Sequence, residues 1–230
     1  MYEKKIKILI IIPAYNEEKN IERVINLLKK KVPQYDYIII NDGSCDKTEE
    51  ICNMNLYNYI NLPINLGLGG AFQTGIKYAL NNCYDACLQF DADGQHKPEY
   101  IDVMINKMVA EKCDIVIGVR NKGTMKGIRK IGSYMLSYLI ERVTGVKLSD
   151  PTSGMRLYNY KAMKEIGNSV NLAPEPDALV YFLNKGFYIS EVNIKMEERI
   201  FGKSYLSGIK SFEYMLQMFI SIIFLKIFRR

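Results

Sequence analysis

Residues 35–44 read YDYIIINDGS. Three isoleucines in a row lead without transition into four residues of turn chemistry. A short apolar run with no polar face belongs to a strand buried on both sides, as inside a parallel sheet. The same pattern recurs on either side of it. Residues 7–18 read KILIIIPAYNEE and residues 86–95 read ACLQFDADGQ. Each strand ends abruptly in a polar cluster, at residues 13–17, 41–44 and 91–95. Helix-spaced segments lie between them, such as 16–31, where Ile21, Val24, Ile25 and Leu28 share a face. The spacing predicts further helices over 46–54, 69–81, 98–110, 128–143 and 178–185. Strands are expected over 7–12, 35–41, 56–60, 86–90 and 114–118. Alternation of this kind predicts an α/β domain with a parallel sheet. Binding loops of such sheets gather outside the carboxyl ends of the strands, so the three polar clusters are expected to meet at one edge.

The chain of 230 residues is long enough for a substantial core, and 48% apolar with 24% charged residues excludes a disordered or low-complexity chain. Five cysteines cannot all pair, and a single histidine argues against a mixed Cys/His zinc site. A reduced, cytosolic chain is expected, with Cys83 and Cys87 as core thiols. The net charge of +6 is uneven. Residues 119–140 hold five cations and no acid, and residues 199–230 hold six cations and one acid, Glu213. Two basic segments on a mildly acidic body suggest anionic partners at particular places. Motifs with interleaved aromatics are not evident, which ranks nucleic acid last.

Asp91 and Asp93, at i and i+2 past a strand end, can face one side, and two carboxylates with a diphosphate suit Mg²⁺ or Mn²⁺. His96 adjoins them as a candidate metal ligand, though a histidine in a helix-entry loop is commonly structural. Asp42 suits a nucleobase or ribose, with a turn as its ordinary role. The segment NLGLGG (65–70), with Gly69, lets backbone approach a ligand at a helix N-terminus. It is not a dinucleotide fingerprint, because residue 72 is Phe72, and Gly202-Lys203-Ser204 is not a Walker loop, because residue 197 is Glu197. Arg120, Arg129, Arg156, Arg199 and Lys203 are candidate phosphate ligands.

IIPAYNEEKNI, IIINDGSCDKT, NLGLGGAFQTGI and FDADGQHKPE together resemble the family-2 glycosyltransferases of GT-A fold over residues 6–120. SDPTSGMR (149–156), Ile128-Arg129-Lys130 with Ser133, and Arg199 with Gly202-Lys203-Ser204 resemble the polyprenyl-phosphate branch, which includes dolichyl-phosphate mannose synthases. The resemblance implies a mostly parallel sheet flanked by helices, a nucleotide-sugar donor, a divalent metal and inversion at the anomeric carbon. It implies that Pro13, Tyr15, Glu17 and Asp42 hold base and ribose, and that Asp91, Asp93 and Gln95 hold metal and diphosphate. Arg120 and Arg129 would contact donor or acceptor phosphate, with Arg199 and Lys203 closing over the site. A uridine diphosphate sugar is the expected donor and a membrane polyprenyl phosphate the expected acceptor, giving a lipid-linked sugar for cell-envelope glycan synthesis. A lipid phosphate is anionic near neutral pH and needs no base. The rival is transfer to a sugar hydroxyl, which needs one, and Asp177 or Glu175 is the candidate. The intact carboxylate cluster argues against a non-catalytic subunit.

Ile8 to Ile12 is too short for a signal-peptide core and runs into Pro13 and acids. Residues 209–228 read IKSFEYMLQMFISIIFLKIF. Lys210, Glu213, Gln217 and Lys226 argue against a span. Glu213, Gln217 and Ser221 at four-residue steps suggest one polar stripe and a helix lying in the membrane interface. The expected division is a catalytic domain over 1–205 and a helix over 206–230 that docks on the cytoplasmic face of the membrane or on a small membrane-protein partner.

Overall fold

The computed structural model describes residues 6–120, 128–169, 172–198, 200–201 and 209–228. In chain order the elements are β1 (Ile8–Ala14), α1 (Ile21–Lys31), β2 (Asp36–Asn41), α2 (Thr48–Met54), β3 (Tyr59–Asn61), α3 (Gly67–Asn81), β4 (Ala86–Gln89) and α4 (Tyr100–Glu111). They continue with β5 (Ile115–Arg120), α5 (Ile128–Thr144), β6 (Arg156–Asn159), α6 (Tyr160–Asn168), α7 (Pro176–Asn184), β7 (Ile189–Ile194) and α8 (Ile209–Phe228).

The strands form one sheet in the order β3-β2-β1-β4-β6-β5-β7. Period-two alternation divides each central strand between two layers. Leu9, Ile11, Ile38 and Ile40 face α3, α5, α6, α7 and α8. Ile8, Ile10, Ile12 and Ile39 face α1, α2 and α4. This is why the isoleucine runs are unbroken: both faces of the sheet are covered. On one layer α3 comes so close to β1 that a Cβ on Gly75 would lie 2.4 Å from Ile11 Cγ2.

β1 pairs in parallel with β2 on one side and β4 on the other, Ile11 opposite both Ile38 and Gln89. The order therefore reverses beside β1, which opens a crevice at the carboxyl ends of β1 and β4. β6 runs against both neighbours, with Leu157 opposite Leu88 and Val116. Because it is antiparallel, its beginning meets the ends of β4 and β5. The loop 149–155 that leads into it thus opens on the same edge as the other polar clusters.

The expected elements are all present with shifted ends, and β6, α6 and β7 are additional. α1 starts at Ile21 rather than residue 16, because Asn16 is left-handed (φ 56°) and the Glu17 carbonyl closes a turn with Asn20 and Ile21. α2 starts at Thr48, whose N–H donates to Asp46 Oδ1. β3 starts at Tyr59, because Leu56 is left-handed (φ 51°). α3 begins two residues early, at Gly67. All five cysteines are free thiols, but of the expected core pair only Cys87 is buried; Cys83 is exposed in the left-handed turn (φ 56°) after α3.

α8 is not a detached helix. Met218 and Ile222 are buried in the same core layer as α5 and α7, with Tyr214, Met215 and Phe219 packed beside them. The expected polar stripe is split: Glu213 and Gln217 are exposed, but Ser221 turns inward and donates to Asp177 Oδ2 at 2.6 Å. Among the described residues no helix is long and apolar enough to cross a membrane.

Candidate active site

The loop after β4 carries Asp91 and Asp93. Gly94 bends it at φ +75°, where a Cβ would strike the Arg23 guanidinium at 1.9 Å. Arg23 reaches across from α1 and donates to the Asp93 carbonyl at 3.4 Å. Arg23 escapes sequence reading, because nothing at residue 23 announces a contact made 70 residues away. Asp93 is buried, and its Oδ1 accepts the Gln95 N–H at 3.0 Å. Asp91 is partly exposed, and its N–H donates to His96 Nδ1 at 3.0 Å.

Among the described residues no three His, Cys, Asp or Glu side chains converge into a closed cage. Two carboxylates on one loop at the crevice, one of them open to solvent, instead suit a hard divalent cation that draws its remaining oxygen ligands from a diphosphate and water. Gln95 keeps its Oε1 for such a role, since its Nε2 donates to the Glu197 carbonyl at 3.2 Å.

The nucleotide-facing clusters arrive from β1 and β2. Asn16 and Cys45 link the two loops, the Cys45 N–H donating to Asn16 Oδ1 at 2.8 Å. Pro13 is the partly buried penultimate residue of β1, and Tyr15, just past the strand, is exposed. Glu17 is engaged locally: its Oε2 accepts from Asn20 Nδ2 at 2.7 Å, and its N–H donates to Thr48 Oγ1 at 2.9 Å. Asp42 is buried, and its Oδ1 accepts the Leu66 N–H at 2.7 Å, so this carboxylate ties the β2 loop to the start of α3. Gly69 lies in the first turn of α3. A Cβ there would meet the Ala173 side chain at 2.9 Å, so its missing side chain admits a neighbouring protein segment.

Arg120 ends β5 at the same edge. Its Nε and Nη2 grip the two oxygens of Asp150 at 2.7 and 2.8 Å, and Nη2 also reaches Thr152 Oγ1 at 2.7 Å. Asp150 is fully buried. Burial alone would push its carboxyl up, but the Arg120 guanidinium outweighs that and holds it below the ordinary range. Glu191 on β7 fixes the same loop, accepting the Ser149 N–H at 2.7 Å.

Arg156 is not a phosphate ligand. It is 1% exposed, and Nε, Nη1 and Nη2 donate to the carbonyls of Ser153, Glu175 and Pro151 at 2.9, 3.2 and 2.8 Å. A buried guanidinium surrounded by carbonyls is a pin between two loops. Arg129 lies on α5 with its side chain outside the description, and Arg199, Lys203 and the basic stretch 121–127 lie outside the described residues. The described residues on either side of Arg199 do touch this edge: the Glu197 N–H donates to the Gln95 carbonyl at 2.9 Å, and Asn20 Nδ2, before α1, reaches the Phe201 carbonyl at 3.5 Å.

Asp177 sits in the first turn of α7. Its Oδ1 accepts the Ala178 N–H at 2.8 Å and its Oδ2 accepts from Ser221. Burial and the nearby Asp177 push the Glu175 carboxyl up, and Arg156 partly opposes them. Burial and then the Glu175 charge push up the Tyr214 phenol on α8, which also feels Asp177 and Arg120. Tyr214 was not legible as a site residue, because its segment reads as a membrane helix.

Residues 9–167 match the family described as Glycosyl transferase family 2. The chain belongs to glycosyl transferase family 2. Among its relatives, a UDP-N-acetylglucosamine–dolichyl-phosphate N-acetylglucosaminyltransferase of Methanococcus voltae is 32% identical, over 82% of this chain and 84% of that one. An undecaprenyl-phosphate mannosyltransferase of Micrococcus luteus is 29% identical over 88% of both. In fold the family-2 chain resembles a glucosyl-3-phosphoglycerate synthase of Mycobacterium tuberculosis, solved with Mn²⁺, uridine diphosphate and glucosyl-3-phosphoglycerate. The TM-score is 0.72 at 19% identity, covering 96% of this chain and 80% of that one. The mostly parallel sheet with helices on both faces agrees with the GT-A expectation.

Proposed function

We propose that this protein is an inverting glycosyltransferase that moves a sugar from a nucleoside diphosphate donor to a membrane polyprenyl phosphate. The observation that carries the reading is the joint placement of Asp91 and Asp93 after β4, the β1 and β2 loops, and Arg120 at one sheet edge. Both named polyprenyl-phosphate transferases above align over more than four-fifths of the chain, which supports the acceptor. Pro13, Tyr15 and the β2 loop bind base and ribose, with Asp42 holding that loop's shape. Uridine diphosphate is the preferred nucleotide, as named for the Methanococcus relative.

Asp91, Asp93 and Gln95 would hold Mg²⁺ or Mn²⁺, which neutralises charge on the departing diphosphate. A phosphate oxygen of the lipid forms a bond to the anomeric carbon as the bond from that carbon to the diphosphate oxygen breaks. The bonding pair leaves on the nucleoside diphosphate, and the configuration inverts. Arg120, with Nε and both hydrogens of Nη2 engaged by Asp150 and Thr152, would meet phosphate through Nη1. Arg129, for donor or acceptor phosphate, and Arg199 and Lys203, for the donor, are the further cations that the family resemblance assigns.

The hydroxyl-acceptor alternative would need a general base, Asp177 or Glu175. Each Asp177 oxygen accepts one hydrogen bond, from its own helix and from Ser221, which leaves lone pairs on both oxygens but ties the carboxylate into the packing of α7 on α8.

The catalytic unit includes α8, which packs in its core, and the outer side of α8 supplies the docking surface. Ile131, Tyr134 and Tyr138 on α5 are exposed, as are Leu216, Ile220 and Phe224 on α8. These exposed apolar side chains suit peripheral docking on the cytoplasmic leaflet. A small membrane protein covering the same face is the other outcome of the vesicle test below.

The deciding assay mixes the protein with Mn²⁺ or Mg²⁺, polyprenyl phosphate and a panel of radiolabelled nucleotide sugars. Label in an acid-labile lipid is expected from one donor. Nucleoside diphosphate release without lipid label would move the acceptor to a hydroxyl.

A further inference from the structure

His96, the only histidine of the chain, stands behind the carboxylate pair. Its side chain is fully buried, with its ring set against Phe90 at 5.3 Å between centroids and 78° between planes. Nδ1 accepts the Asp91 N–H at 3.0 Å. A neutral imidazole has one donor and one acceptor nitrogen, so an accepting Nδ1 puts the proton on Nε2. Nε2 lies 3.4 Å from Oδ2 of the same Asp91 and has no hydrogen-bond partner among the described residues. One ring thus holds the main chain of Asp91 and lies just out of bonding reach of its carboxylate.

A buried N–H left unmade costs about 1–3 kcal/mol, and a shift of a few tenths of an ångström in the carboxylate would close it. The room for that shift is present. Gly154 faces the carboxylate, where a Cβ would stand 2.8 Å from Oδ2, and Gln89 Nε2 lies loosely at 3.5 Å from Oδ1.

We propose that His96 is a positioning residue and not a metal ligand: as the Nε2–H tautomer it fixes the Asp91 backbone and, when metal and nucleoside diphosphate bind, donates to Asp91 Oδ2 and locks that carboxylate in its ligating orientation. This rests on the donor-site reading above. Partners that orient metal ligands in this way are typically worth 10–100-fold in metal affinity.

A single histidine makes the test direct. Ring-¹⁵N-labelled histidine in the whole protein yields the spectrum of His96 alone. The free protein is expected to show the proton on Nε2, and Mg²⁺ with uridine diphosphate should keep that proton and move it downfield. His96→Asn can still accept the Asp91 N–H through Oδ1 but has nothing to reach Oδ2. Its Mn²⁺ affinity in the presence of uridine diphosphate should fall roughly 10–100-fold, with turnover recovering at saturating Mn²⁺. An Nδ1–H tautomer, loss of the Nε2 proton on adding metal, or wild-type Mn²⁺ affinity in a folded H96N variant overturns the role. If H96N does not fold, the ring spectra of the wild-type protein decide alone. A wild-type protein that binds no metal with uridine diphosphate overturns the donor reading itself, and the His96 role with it.

Discussion

Asp150 decides what Arg120 can do. Both oxygens of a fully buried carboxylate meet two nitrogens of one guanidinium in parallel, so removing the charge strands Arg120 in a poorly solvated place. Asp150→Asn is expected to cost about 3 kcal/mol, read by urea unfolding at pH 7. The pH dependence follows from the depressed carboxyl. Its folded-state value lies below the ordinary 3.8, so its stabilisation is complete above the unfolded value and is lost as pH falls through the folded one. The variant should therefore lose less stability than wild type between neutral pH and strongly acidic pH. Asp177→Asn tests the acceptor at the same scale. Asn can keep its Oδ1 on the Ala178 N–H and donate its Nδ2 to the Ser221 hydroxyl, which then accepts, so the packing survives. With a lipid phosphate acceptor, turnover is expected to stay within about tenfold of wild type, whereas loss of a general base costs about 10²–10⁴-fold. Lipid-label kinetics beside donor binding separates the two.

Elements place these residues, and the strands do so with little tolerance. β1 is held between β2 and β4 with α3 pressed on one face, where Gly75 sits against Ile11. Gly75→Ala should overpack that contact and destabilise by about 1–3 kcal/mol, measured by thermal unfolding. Ile11→Ala in the same chain removes the Cγ2 that the new methyl would strike, so the double variant is expected to lose less stability than the two single losses added together, since neighbouring sites couple. β6 shows the other side of element-level reading. Four residues, RLYN, carry too little alternation to announce a strand. Their hydrogen bonds come from β4 and β5, which are remote in sequence, so only the assembled sheet makes a strand of them. Reversal of β6 also brings the 149–155 loop, with Asp150, to the functional edge.

Across the whole molecule, α5 and α8 share a core layer and together leave a broad apolar face outward. Patches of this kind on a folded domain mark a partner surface. Ile131→Glu combined with Phe224→Glu should abolish co-flotation with vesicles containing anionic lipid while leaving thermal unfolding within about 1 kcal/mol, because exposed substitutions away from the core cost little. If wild-type protein does not float with pure lipid vesicles, a protein partner covers the face instead. The link between this face and the chemistry is short. α8 carries Tyr214 beside Arg120 and Glu175, and Ser221 on Asp177, so the helix proposed to meet the lipid also walls the site.

The sequence by itself determined the parallel α/β layout and the site edge, because strand burial on both faces and abrupt polar ends are local facts written in residues 7–18, 35–44 and 86–95. It also carried the family motifs that name Asp91, Asp93 and Gln95. Only the tertiary structure decided how charges are spent. Arg120 and Arg156 look alike in sequence, yet one ends a strand at the crevice with part of its guanidinium free of Asp150, and the other is buried among three carbonyls. The reason is physical: the fate of a guanidinium depends on which oxygens the fold brings within about 3 Å of it, and those oxygens belong to residues distant in the chain.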